Sequence, residues 1–186
     1  MIINIRGTHG SGKSTVVRAL IDMSQREPTD VNKNGRPNNY RLKVPGVKRP
    51  VFVIGPYETA CGGCDAIQPY DLIWPRVIEF AKKGHVVFEG ALVSSGVGNI
   101  GRELSKRRNA SVLFMDTPVD ECIRRITKRR KARGEERPVN PKNTELKYRT
   151  CMASVCKFQE LGVRTEMLSH RGSFALNRVL EVLREN

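Results

Sequence analysis

Gly7-Thr8-His9-Gly10-Ser11-Gly12-Lys13-Ser14 fits the spacing G-x-x-x-x-G-K-[ST] without a gap, and Thr15 follows it. Those residue types suit a phosphate cradle. Glycines at 7, 10 and 12 reach backbone conformations closed to residues with a Cβ, so successive N–H groups can turn inward as an anion nest. A helix beginning near Lys13 adds its positive end. In such a cradle Lys13 bridges the β- and γ-phosphates of a nucleoside triphosphate, the Ser14 hydroxyl is a ligand for Mg²⁺, and Thr15 supports the α-phosphate.

Other residues suit the acceptor side of a phosphoryl transfer. The run His85-Val86-Val87-Phe88-Glu89-Gly90 reads as a buried strand ending in an acid. If it lies beside the first strand, Glu89 emerges near Ser14, to hold Mg²⁺ through water or act as the base. The alternative is a strand-end carboxylate with neither role. Gly55 to Gln68, reading GPYETACGGCDAIQ, brings Tyr57, Glu58 and Asp65 together in sequence. Loops at the carboxyl ends of strands form the ligand crevice of an open α/β sheet. Asp65 is therefore the candidate for orienting or deprotonating an acceptor hydroxyl, with Glu58 second and a helix cap as the other reading of Asp65.

Arg125, Arg129 and Arg133 recur at i, i+4 and i+8 in a long basic helix that begins after Asp116-Thr117-Pro118. One face of guanidiniums can neutralise the oxygens of a transferring phosphoryl group, hold nucleic-acid phosphates, or simply be solvated. Cys61 and Cys64 show C-x-x-C spacing. With Cys151 and Cys156 they offer four thiolates to zinc, although a glycine-rich loop needs no metal to turn.

These residues need elements to position them. Ile2, Ile3 and Ile5 read as a short buried strand, and Val16, Val17, Leu20 and Ile21 as the stripe of a helix that frays near Glu27 and Pro28. Thr29 to Asn39, rich in Asn, Pro and charge, reads as a mobile loop. Tyr40–Val44 and Val51–Ile54 read as strands joined through Pro45-Gly46 and decorated by Arg41, Lys43, Lys48 and Arg49. Such a basic hairpin is either a track for a nucleic-acid backbone or a plain surface hairpin.

Pro69–Lys83 carries a helical stripe with Trp74 on its core side. The loop Ala91–Gly101, with Ser94, Ser95, Gly96, Gly98 and Asn99, is expected to close over the acceptor side. A helix over Arg102–Arg108 and a strand over Ser111–Met115 precede the basic helix. Gly134–Pro141 reads as a lid tip, and Asn143–Leu161 as a helix with Leu146, Tyr148, Met152, Val155 and Phe158 mostly inward. Val163–Leu168 is a last strand, Ser169–Ser173 with His170 and Arg171 a loop near the adenine, and Ala175–Leu183 a closing helix. Strands alternating with helices define an α/β class.

The 186 residues suffice for one core, so residues 1–186 are expected to form one domain. No apolar run approaches a membrane span and Met1 leads straight into a strand, which predicts a soluble, cytoplasmic protein without a signal peptide. Five cysteines, an odd number, fit reduced thiols. A net charge of +14 favours work on a polyanion such as nucleic acid over a merely solvated basic surface.

GTHGSGKST, the strand ending in FEG, and FMDTPVDECIRRITKRR together resemble the P-loop kinases of the thymidylate kinase-like group over nearly the whole chain. The resemblance implies a three-layer fold with an about five-stranded, mostly parallel sheet between helices, ATP with Mg²⁺ as donor, and an arginine-rich lid. One feature departs from thymidylate kinases proper: Glu89 is followed by Gly90 and Ala91, not by an arginine and an aromatic residue. YETACGGCDAIQ, taken with the basic charge and small size, looks more like the bacteriophage 5-hydroxymethyluracil DNA kinases. Those enzymes phosphorylate the hydroxymethyl group of a modified base already within DNA, a step toward hypermodified thymidines that resist host nucleases. That likeness implies DNA containing 5-hydroxymethyluracil as partner. A kinase of free nucleosides or nucleoside monophosphates, and a DNA-binding P-loop ATPase, stay open as alternatives.

Overall fold

A computed structural model of the chain describes residues 1–31, 35–58, 62–67, 69–90 and 97–186. The strands are β1 (Ile2–Arg6), β2 (Gln25–Val31), β3 (Pro37–Lys43), β4 (Val51–Ile54), β5 (His85–Glu89), β6 (Ala110–Asp116) and β7 (Arg164–Ser169). The helices are α1 (Lys13–Asp22), α2 (Ile73–Lys83), α3 (Gly98–Ser105), α4 (Val119–Ala132), α5 (Pro141–Glu160) and α6 (Phe174–Arg184), with short 3₁₀ turns at Cys64–Ala66 and Tyr70–Leu72. One seven-stranded sheet runs in the order β2-β3-β4-β5-β1-β6-β7. The five strands from β4 to β7 in that order are mutually parallel, and β2 and β3 extend them as an antiparallel edge.

The central strands read IINIR, VFVI and HVVFE, and every residue in them is buried. Burial along their whole length, with Val, Ile and Phe predominating, is what a parallel sheet covered on both faces requires. On one face α1 and α6 seat Val17, Leu20, Ile21, Val179 and Leu183. On the other, α2, α3 and α5 seat Val77, Phe80, Leu104 and Phe158. Phe52 and Phe80 stack there at 4.8 Å, an arrangement that adds about 1 kcal/mol beyond its buried area.

Two features of this frame set up the site. β1 lies between β5 and β6, and Ile5 is in register with Glu89, so the chain leaves β1 toward the glycine loop beside the end of β5. Arg6, the residue before that loop, is fully buried, donates to Asn4 Oδ1 at 2.6 Å and lies 4.3 Å from the centre of the Phe158 ring. Burial pulls its pKa down to about 9, and the pairing with Phe158 ties the root of the loop to α5.

The segment expected to be a mobile loop, Thr29–Asn39, is instead mostly strand. β2 occupies Gln25–Val31, β3 begins at Pro37, and α1 stops at Asp22 rather than near Glu27. All seven residues of β2 are exposed, so no apolar alternation marks it. Cross-strand polar pairs support it: Arg41 with Glu27 at 3.0 Å and Asn38 with Asp30 at 3.1 Å. On α5, Leu146 is 65% exposed, contrary to the inward reading, whereas Tyr148 is half-buried and Phe158 is fully buried. No described helix is long and apolar enough to cross a membrane.

Candidate active site

Residues 7–14 wrap the end of β1 as the spacing predicts. Gly10 has φ 77°, in the left-handed region, and a Cβ there would stand 2.6 Å from the Cys122 carbonyl oxygen on α4. Glycine is thus required twice over, by conformation and by the close approach of α4. α1 starts after Gly12 with no side-chain cap, which leaves its positive end open to a ligand. Lys13 is buried, and its Nζ donates to the carbonyls of Gly7 at 2.9 Å and Thr8 at 3.0 Å. Thr8 Oγ1 and Ser11 Oγ are buried in the cradle without a hydrogen-bond partner. Unsatisfied buried hydroxyls are costly, and an anion in the nest is what would satisfy them.

A cleft of about 530 Å³ opens over the cradle. His9, Gly10, Gly12, Lys13, Ser14 and Thr15 form one wall; Asp65 and Glu89 face it from the loop after β4 and the end of β5; Arg125 and Arg129 close it from α4. Ser14 Oγ donates to Glu89 Oε1 at 2.7 Å, so these two oxygen donors meet as the strand order predicts. The Tyr57 hydroxyl donates to the same Glu89 oxygen at 3.4 Å. Burial pushes the Glu89 carboxyl up, opposed by Lys13 and by the Ser14 hydrogen bond. His9 is driven down to about 4, chiefly by burial and then by Lys147 on α5 and by Lys13, so it is neutral at physiological pH.

Asp65 lies in the 3₁₀ turn Cys64–Ala66, whose cap is Gly63, with no side-chain cap bond. It lines the cleft rather than capping α2, whose cap position is Leu72 and whose start has no side-chain cap. The turn is packed tightly against β5. A Cβ on Gly63 would stand 2.5 Å from Glu89 Oε1, and one on Gly90 2.8 Å from Asp65 Oδ1. Gly63→Ala, at φ 82°, is therefore expected to displace the Glu89 carboxylate and lower stability by about 1–3 kcal/mol. Denaturant melts and a phosphotransfer assay on the same sample check both effects. Glu58, the second acid of the loop, accepts instead from the Tyr40 hydroxyl at 2.9 Å and does not line the cleft.

The arginine face divides. Arg125 is held by Glu121 at 2.5 Å and reaches the Ser11 carbonyl at 3.4 Å, and Arg129 lines the cleft with its buried Nε unpartnered. Arg133, one turn further, pairs with Glu135 at 3.0 Å and lines the neighbouring cavity under the lid. The Glu135 carboxylate pulls it off the row that spacing alone implies. Arg130 fastens the lid tip by donating to the carbonyls of Arg137 at 3.0 Å and Pro138 at 2.8 Å.

Cys64 and Cys151 are buried and Cys156 is exposed, and no metal-holding group of three or more His, Cys, Asp or Glu side chains forms among the described residues. Cys61 and the acceptor-side residues 91–96 lie outside the described residues. His170 is half-buried and its Nδ1 is bonded to the Asp116 carbonyl at 2.8 Å.

Sequence reasoning missed Arg18 and gave Tyr57 no role. Arg18 lines the cleft one turn beyond Ser14 and donates to the Tyr57 carbonyl at 3.3 Å. The i, i+4 spacing from Ser14 was a readable sign of a shared helix face. The contact of Tyr57 with Glu89 spans 32 positions and had no local signal.

A phosphate nest at the carboxyl end of a central parallel strand, with a serine, a strand-end acid and two arginines around it, defines a P-loop phosphotransferase. The fold agrees: the chain is similar over its full length to the solved structure of deoxyadenosine kinase from M. mycoides, also over its full length, with a TM-score of 0.53 at 12% identity. Models of known protein families give no match. The chain belongs to the 5-hmdU DNA kinase family: it is 37% identical to the 5-hmdU DNA kinase of Pseudomonas phage PaMx11, over 97% of each chain. It is also 30% identical to the 5-hmdU DNA kinase of Delftia phage PhiW-14, over 95% of this chain and 70% of that one.

Proposed function

We propose that this protein transfers the γ-phosphoryl group of ATP to the hydroxymethyl oxygen of 5-hydroxymethyluracil within DNA, as a step in phage thymidine hypermodification that protects viral DNA from host restriction. Within a family of this name, the observation that carries the reading is the meeting of two walls. Lys13 and Ser14 of the cradle line one cleft together with Asp65 and Glu89, and Ser14 meets Glu89 at 2.7 Å where the walls join. The net charge of +14 favours a polyanionic acceptor over a free nucleoside.

Each residue then has a task. The backbone of Gly7 to Gly12 and the hydroxyls of Thr8 and Ser11 bind the phosphates, and Thr15 supports the α-phosphate. Lys13 turns from the Gly7 and Thr8 carbonyls to bridge the β- and γ-phosphates. Ser14 and Glu89 are hard oxygen donors 2.7 Å apart, a set that suits Mg²⁺. When bound, that ion supplies charge neutralisation at the phosphates. Arg125 and Arg129 stabilise negative charge on the transferring group from the α4 side. Asp65 accepts the hydroxymethyl proton, with Glu89 as the alternative base. A bond forms from that oxygen to the γ-phosphorus, the bond to the β-bridging oxygen breaks, and ADP leaves. The base reaches the cleft flipped from the duplex.

The test supplies labelled ATP with duplexes that contain 5-hydroxymethyluracil or thymine at the same site. Label confined to the hydroxymethyluracil duplex is the expected result. Label in neither duplex, with ATP consumed, would favour an ATPase.

A further inference from the structure

The cradle occupies the carboxyl end of the sheet, and a second basic feature occupies the opposite end. There the turn between β3 and β4 borders a groove of about 270 Å³ whose cationic wall is Arg41, Lys43, Lys48 and Arg49 and whose floor includes Leu42 and Val47. Arg41 is neutralised by Glu27 at 3.0 Å. Lys43, Lys48 and Arg49 are exposed and have no carboxylate partner among the described residues, unlike Lys83, Lys106 and Arg178, which pair with glutamates. Register fixes the location. Leu42 pairs with Val51 and Gln25 with Lys43, at the amino end of β4, whereas Pro37 and Val31 lie at the end that carries the cleft.

We infer that Lys43, Lys48 and Arg49 form a docking groove for the phosphate backbone of duplex DNA, remote from the reacting base and continuous with it along the exposed edge strand β2. This rests on the DNA reading above and extends it to a surface. Charge complementarity argues for the occupant: unpaired cations over a shallow floor suit a backbone of regularly spaced anions, and no described residue covers β2. Length agrees as well. From Val31 to Gln25 the edge strand β2 rises about 20 Å at 3.3–3.4 Å per residue, which matches about 6 base pairs of duplex at 3.4 Å each. Contacts at this distance carry no sequence information. They would hold the duplex while a base enters the cleft.

The experiment compares the wild-type chain with a Lys43→Gln, Lys48→Gln, Arg49→Gln triple variant. Affinity for hydroxymethyluracil duplexes of about 24 and about 8 base pairs, the target central, is measured by fluorescence anisotropy across a salt series. Binding of a fluorescent ATP analogue controls for folding. The triple variant is expected to bind the long duplex on the order of a hundredfold more weakly near physiological salt. Its slope of log affinity against log salt should be shallower by about 2–3, because each phosphate contact contributes about 0.9. The short duplex, which cannot reach the groove from the cleft, should bind both proteins alike. Unchanged affinity and slope on the long duplex would overturn the inference, as would an equal loss on both lengths. If the length-dependent loss appears but the wild type transfers phosphate to no duplex, the groove stands and the transfer reading falls.

Discussion

Replacing Lys13 by Ala is expected to lower phosphoryl transfer by on the order of 10³-fold or more while nucleotide binding weakens far less. Lys13 is buried and its Nζ rests on the Gly7 and Thr8 carbonyls, so its charge is held where the bridging phosphates belong. A charge positioned in advance contributes most in the transition state, when negative charge builds on the leaving oxygen. The loss should therefore appear in kcat and kcat/KM together. Removing Nζ also leaves two carbonyls without their donor, so Lys13→Met, which keeps the side-chain bulk, is the companion variant. Steady-state kinetics with melting curves for both separate chemistry from cradle collapse. Near-normal transfer by either variant would mean that the cradle is not the phosphoryl donor site.

The second large effect is at Glu89 and runs in two directions. Glu89→Gln is expected to cut transfer by about 10²–10⁴-fold, because an amide is a poor ligand for a hard dication and no base. The same change is expected to stabilise the ligand-free protein at neutral pH. Burial raises the folded-state pKa of Glu89 above its ordinary value, so the native state holds this proton more tightly than the unfolded chain. Stability from this group is thus present at low pH and is lost as pH rises from the ordinary carboxylate range through the raised pKa. The amide introduced by Glu89→Gln would still accept from the Ser14 and Tyr57 hydroxyls without carrying a charge. Melting temperatures of the two proteins should converge in acid and separate toward neutrality, the variant higher by a few degrees per kcal/mol. A variant less stable at neutral pH would contradict the buried-charge argument. In the wild type, Mg²⁺ with nucleotide should close the gap, since a dication beside the carboxylate reverses its preference for the proton.

What the sequence disclosed follows from how local each signal is. The cradle, β1, β5 and α1 were legible because a spaced motif and continuous apolar runs are read within a dozen residues. The meeting of Ser14 with Glu89 was legible one step removed, since the strand order that a P-loop implies puts β5 beside β1. β2 was not legible. QREPTDV exposes every side chain and contains Pro28, and it is a strand only because β3 offers it a ladder and polar partners. Arg133 shows the limit of spacing as evidence: α4 ends at Ala132, so Arg133 caps the helix instead of continuing its face, and Glu135 takes its guanidinium. Of the two acids only Asp65 lines the cleft, and the contact that holds Glu58 elsewhere, with Tyr40, joins residues 18 positions apart and has no local signal. Spacing did not disclose that packing sends Cys64 and Cys151 into the interior while Cys156 stays at the surface.

Whether the acceptor is a base in DNA is measured most directly by a competition. Hydroxymethyluracil duplex DNA and free 5-hydroxymethyl-2′-deoxyuridine, with its monophosphate, are supplied together with labelled ATP, and kcat/KM for each acceptor is obtained from the partition of label. Label is predicted to enter the duplex with a large preference, and that preference to shrink as salt rises and phosphate contacts weaken. Label that enters the free nucleoside or nucleotide but never the DNA would contradict the assignment of the acceptor.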